Sequence, residues 1–111
     1  MEYQTRFENE IAVVTIAGRL DGVTAPQCDQ NIRELIEGGA SRLVIDLGAL
    51  EYISSAGLRC ILLTAKLLKE KNGQFYLANV TGNVRSVFDM SGFSNIFQIT
   101  DSVAAALGKL Q

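Results

Sequence analysis

Apolar and polar residues alternate or recur in short runs along the chain, and each run predicts one element. "EYQTRFE" and "IAVVTIAG" are rich in β-branched and aromatic residues and are separated only by Asn9-Glu10. They predict two antiparallel strands joined by a tight turn. "GRLDGVTA" follows as a loop. Ala25, Cys28, Ile32, Leu35 and Ile36 then recur at helical spacing and make one apolar face. Thr24 with Gln27 has the spacing of a capping box, Pro26 suits a first turn, and Gly38-Gly39 suits a stop. "RLVIDL" is short and nearly all apolar, as a strand covered on both faces must be.

"GALEYIS" reads as a loop, and a second helix is predicted from about Ser55 to Lys71, ended by Asn72-Gly73. Leu58, Ile61, Leu62, Ala65 and Leu68 form its core stripe. "QFYLA" predicts another buried strand, "TGNVRSVFDMSG" a short helix capped at Thr81, "NIFQI" a last strand, and "DSVAAALGKL" a final helix capped by Asp101. A hairpin followed by alternating helix and strand predicts a single α/β domain over residues 1–111. The expected sheet is mixed, of four or five strands, with the later ones parallel through right-handed crossovers and about four helices around them. Working loops of such sheets lie at the carboxyl ends of strands, and "GALEYISS" leaves one of these ends.

Composition narrows the chemistry. Twelve acids against ten bases give a net charge of −2 with no basic block, which argues against nucleic acid and weakly against anionic membranes. No apolar run reaches the ~18 residues of a membrane span, and "MEYQTRFENE" lacks the apolar centre of a signal peptide. A cytoplasmic location is expected. There Cys28 and Cys60 read as two buried, reduced side chains, and without histidine they make a poor zinc site. The absence of histidine also excludes Ser-His-Asp and Cys-His catalysis. Gly108-Lys109 has Val103 where a phosphate loop needs glycine. The chain therefore reads as a binding protein or the target of an enzyme, with no cofactor or metal expected.

The candidate site is the adjacent pair Ser54 and Ser55 at the mouth of the second helix. A serine there caps the helix, worth ~1 kcal/mol. It is also a place where a phosphate would meet free N–H groups and the positive end of the helix dipole. Arg59, four residues past Ser55, is either a solvated charge or a partner for an acid or phosphate. Ala56, Cys60, Leu63 and Leu67 widen the apolar arc, either as core or as an exposed dock around Leu63. Asp46, inside an apolar strand, either binds the loop after it or orients the Ser55 hydroxyl. Asp21 is a turn former, or a site residue if its loop packs beside the serines.

These stretches resemble the STAS domain family of bacterial anti-sigma factor antagonists. The likeness is carried by "VVTIAGRLDGVTA", by "LVIDLGALEYISSAGLR" and by "NGQFYLANVTGNVRSVFDMSGF". The family shows Asp-Ser-Ser/Thr-Gly-Leu at the centre; aligned on Gly57-Leu58, its phosphorylated serine falls on Ser55. Ser54 then stands in place of the aspartate and is the second choice, and Ala56 replaces the second hydroxyl residue. The resemblance also maps the family's acidic positions onto Asp21 and Asp46. It implies partner switching between an anti-sigma factor serine kinase, which uses ATP, and a serine phosphatase. Asp21, Ser54, Ala56, Gly57, Arg59 and Leu63 are the expected partner-binding residues, and Asp46 the support for the phosphosite. The chain is expected as a monomer or weak dimer. Related domains also serve, without phosphorylation, as interaction subunits of signalling scaffolds or lipid-transport complexes, and a shallow nucleotide pocket near Asp21 and Ser55 is a further alternative.

Overall fold

The computed structural model describes residues 1–111. Strands β1 (Glu2–Glu8) and β2 (Ile11–Leu20) form an antiparallel hairpin. Asn9 and Glu10 both take positive φ, as a two-residue turn matched to the twist of the strands requires. Helix α1 (Ala25–Glu37) leads to β3 (Arg42–Asp46), and β4 (Leu50–Ile53) precedes α2 (Ser55–Glu70). Then come β5 (Gln74–Ala78), α3 (Gly82–Ser91), a 3-10 turn at Phe93–Asn95, β6 (Ile99–Thr100) and α4 (Val103–Leu110). The sheet order is β1-β2-β3-β5-β6; the pairs β2/β3, β3/β5 and β5/β6 are parallel.

β3 is buried on both faces because the sheet has helices on both. Leu43 and Ile45 enter the larger core with Val14, Ile16, Ile32, Leu58, Ile61 and Phe88. Val44 faces the other way and packs with Ile11, Val13, Ala78, Ala106 and Leu110 under α4. The alternation of β2 and β3 thus feeds two cores, which is why both strands read as continuous apolar runs.

Several local expectations change. "GALEYIS" contains β4, a sixth strand, which pairs in parallel with the end of β2 (Gly18↔Leu50, Leu20↔Ile53). β2 correspondingly runs on to Leu20, so "GRL" is strand and not loop. Thr24 does not cap α1. It is already helical in backbone, and its Oγ1 donates to Arg19 O at 2.9 Å. Asp21 takes the capping role: Oδ1 accepts from Val23 N (3.0 Å) and Thr24 N (3.2 Å), and Ala25 N closes a turn onto Asp21 O. Thr81 stands at the start of α3 without a side-chain bond. Ser102, not Asp101, caps α4, its Oγ accepting from Ala105 N at 3.0 Å. The last strand lies at Ile99–Thr100, because Asn95 ends the 3-10 turn, Ile96 closes it, and Phe97 joins an edge-on cluster with Phe75, Phe88 and Phe93.

Two measurements test how the β2–α2 corner is held. A Cβ on Gly57 would lie 2.6 Å from Leu20 O and 2.7 Å from Ile53 Cγ1. Gly57→Ala should cost ~2 kcal/mol and lower Tm by ~10 °C, read by thermal unfolding. The backbone N–H groups of Thr24 and then Val23 hold the Asp21 carboxyl below its ordinary pKa. A depressed folded-state pKa stabilises above the unfolded value of about 4 and loses that contribution as pH falls through the folded one. The Tm gap between the native chain and Asp21→Ala should therefore be full at pH 7 and shrink steadily below about pH 4; a gap constant across that range would contradict the capping role.

Candidate functional site

Three segments converge where β2 ends, β4 ends and α2 begins. The Ser54 N–H donates to Leu20 O at 2.9 Å, next to the Leu20↔Ile53 pair. The Arg19 guanidinium lies 4.2 Å over the centre of the Tyr52 ring and 3.6 Å from the Asp21 carboxylate. These contacts seat the Asp21–Thr24 loop beside the serines, so Asp21 belongs to this corner. Its carboxylate is occupied with the loop's own N–H groups, which makes it the loop's organiser.

The two serines have different jobs. Ser54 is extended in backbone and half-buried; its Oγ accepts from Gly57 N at 3.4 Å and its carbonyl accepts from Leu58 N at 2.9 Å. Ser55 is the first residue of α2 and is exposed. The first turn of a helix leaves N–H groups without intrahelical acceptors. Ser54 satisfies one of them, and the Ser55 hydroxyl stands free beside the rest. Arg59 lies one turn further on and is exposed.

Between α1 and α2 runs a shallow groove of about 230 Å³, lined by Gly22, Ala25, Asp29, Ala56, Arg59 and Leu63 among others. Ala56, Arg59 and Leu63 are thus gathered on one surface with the Gly22 loop. Cys60 is buried beneath it. It faces Cys28 across the helix pair, both as free thiols, and the hydrogen bond to Cys60 together with burial pushes the Cys28 thiol well above its ordinary value. The arc Ala56–Cys60–Leu63–Leu67 is therefore divided: Cys60 is core, while Ala56, Leu63 and Leu67 are half-buried at its border.

Two expected site residues serve the scaffold instead. Gly57 is buried against Leu20 and Ile53 and has no surface for a partner; its part is to let α2 approach the strand backbone. Asp46 accepts from Gly48 N and from Asn79 Nδ2, each at 3.0 Å, and Ser55 is not among its partners. Its carboxylate ties β3 to the loop after β5. Missing from the sequence reading were Arg19, Tyr52 and Val23. Val23 is 88% exposed at the tip of the Asp21 loop, an apolar side chain offered to solvent beside the groove. The only sequence signal for it was a valine inside a turn-forming "DGVT". A larger surface groove, about 500 Å³, lies at the far end of α2 between Leu62, Ala65, Phe75 and Phe97, remote from the serines.

No helix is long and apolar enough to cross a membrane. Among known proteins, the chain is 39% identical to BtrV of Bordetella bronchiseptica over 85% of its own length and 81% of BtrV. It is 30% identical to the anti-sigma F factor antagonist of Paenibacillus polymyxa, over 100% of this chain and 97% of that protein. An anti-sigma factor antagonist from Mycobacterium paratuberculosis, solved by crystallography, superposes with a TM-score of 0.88 at 27% identity, over 97% of this chain and 92% of that one. The family model of the STAS domain matches residues 2–106. With that match spanning nearly the whole sequence, on a hairpin-led mixed sheet whose second helix opens at Ser54-Ser55, the chain belongs to the STAS domain family.

Proposed function

We propose that the protein is an anti-sigma factor antagonist whose partner is switched by phosphorylation of Ser55. The observation that carries this reading is the division of labour between the serines: Ser54 holds the helix start, and the Ser55 hydroxyl is exposed and unused. The relatives named as anti-sigma factor antagonists support the regulatory role.

In the unmodified state the groove of Gly22, Ala56, Arg59 and Leu63, the exposed Val23 and the neutral, exposed Ser55 hydroxyl together offer a half-apolar surface. An anti-sigma factor that is also a serine kinase docks there and releases its sigma factor. Within that complex the Ser55 oxygen attacks the γ-phosphorus of ATP. The new O–P bond forms as the bond to the β,γ-bridging oxygen breaks, ADP leaves, and the hydroxyl proton passes to a base on the kinase. The product carries roughly −2 charge. On the free domain that charge is tolerated, because it sits at the positive end of the α2 dipole with Arg59 one turn away. In the docked interface, shaped for a neutral group, it must be desolvated and the complex dissociates. A serine phosphatase restores the hydroxyl.

Incubation with the cognate kinase and ATP should add about 80 Da, one phosphate, to the native chain. Ser55→Ala should stay at its starting mass by intact mass spectrometry, and modification of Ser55→Ala at the native rate would remove the assignment. Ser54→Ala is expected to lose ~1 kcal/mol of stability through its cap yet accept phosphate. Ser55→Glu should bind the kinase at least tenfold more weakly by calorimetry, a change of ~1.4 kcal/mol, while unfolding at nearly the native temperature.

A further inference from the structure

The two edges of the sheet differ. β6 offers two residues, whereas β1 offers seven in unbroken register with β2, from Glu2↔Ala17 to Glu8↔Ile11. β1 has no bulge or proline to block pairing, and its charges, Glu2, Arg6 and Glu8, keep off any strand that does not match them. The two-residue turn at Asn9-Glu10 makes Glu8 and Ile11 the closing hydrogen-bonded pair. Because the pattern alternates, Glu2, Gln4, Arg6 and Glu8 bond to β2, and the N–H and C=O groups of Tyr3, Thr5 and Phe7 point away from the sheet.

We infer that this edge pairs with the same edge of a second copy, as an antiparallel strand dimer centred on Gln4. In that register Gln4 faces Gln4, Tyr3 faces Thr5, Glu2 faces Arg6 and Met1 faces Phe7. Tyr3/Thr5 and Met1/Phe7 are the hydrogen-bonded pairs, using the outward groups. Glu2/Arg6 occurs twice by symmetry and falls at the closer, non-hydrogen-bonded positions, with Cα atoms about 4.5 Å apart. Phe7, 60% exposed, and Met1, 37% exposed, cover one another. Arg6 is available: its contact with Glu8 is a single 3.4 Å approach between half-exposed side chains. Neighbouring registers are worse. Centring on Thr5 sets Glu2 against Glu8, and centring on Arg6 sets Arg6 against itself, like charges directly opposed. Centring on Tyr3 leaves Arg6, Phe7 and Glu8 unpaired. The charges of β1 thus select one partner, its own copy, and one register. The pairing uses no residue of α2 or of the Asp21 loop. One edge strand buries little area, so the dimer is weak, with a dissociation constant of roughly 0.1–1 mM.

Sedimentation equilibrium of the whole chain from roughly 10 µM to 1 mM tests this. The native chain should self-associate. Glu2→Arg and Arg6→Glu each place like charges across the interface and should each weaken association at least tenfold. An equimolar mixture of the two restores both opposite-charge pairs and should dimerise as well as the native chain. Thr5→Pro removes an outward N–H, so it should be monomeric while keeping the native circular dichroism spectrum. A native chain monomeric throughout the range overturns the inference, as does association by the single variants at native strength. So does a mixture that fails to associate although the native chain does.

Discussion

The structure depends on the junction where the end of β2 meets the start of α2. The Ser54 N–H bonds to the Leu20 carbonyl, and Gly57 passes so close to that carbonyl that a single methyl group would collide with it. β4 leads the chain into this junction, with Leu50–Ile53 running alongside Gly18–Leu20. The junction also sets the direction in which α2 leaves the sheet, and hence which of its residues enter the core. Leu58, Ile61 and Leu68 follow from that direction, and so does the exposure of Ser55 and Arg59.

A second consequence is the separation of groups that hold the corner from groups left exposed on it. Ser54 and Asp21 are bound to neighbouring backbone N–H groups at the starts of α2 and α1, and Gly57 is packed against a strand. These residues hold the corner and offer little to a partner. Ser55, Val23, Arg59 and the border of Leu63 are held in place by them and remain available. Under the proposed function, a charge added at Ser55 would disturb a partner docked on the corner far more than the corner itself. That is the requirement for a reversible switch in a domain whose folded state is only marginally stable.

Much of this was legible in the sequence through short-range patterns. The Asn9-Glu10 turn, the face of α1, the span of α2 and the double burial of β3 all follow from periodicity within a few residues. What escaped did so for identifiable reasons. β4 is only four residues long, too short for an alternation to show even though Tyr52 and Ile53 favour strands, and it forms against the edge that β2 presents to it. The α1 cap moved from Thr24 to Asp21 because the chain turns helical a step earlier, with Ala25 N bonded to Asp21 O. The α4 cap moved from Asp101 to Ser102 because Thr100 is still engaged in pairing with Ala78. Asp46 invited a link to Ser55, but its partner Asn79 lies on the neighbouring β5 connection, and no local signal announces that bond.

The sequence by itself determined the elements, their buried faces and the serine pair at a helix start. These depend on backbone hydrogen bonds and side-chain periods that repeat every two to four residues. Only the tertiary structure decided which serine is free, that Gly57 and Asp46 serve the scaffold, and that Arg19, Tyr52 and Val23 stand beside the site. Those outcomes depend on contacts between residues tens of positions apart. Such contacts are set by where strands land in the sheet, and nothing in a local run of residues encodes that placement.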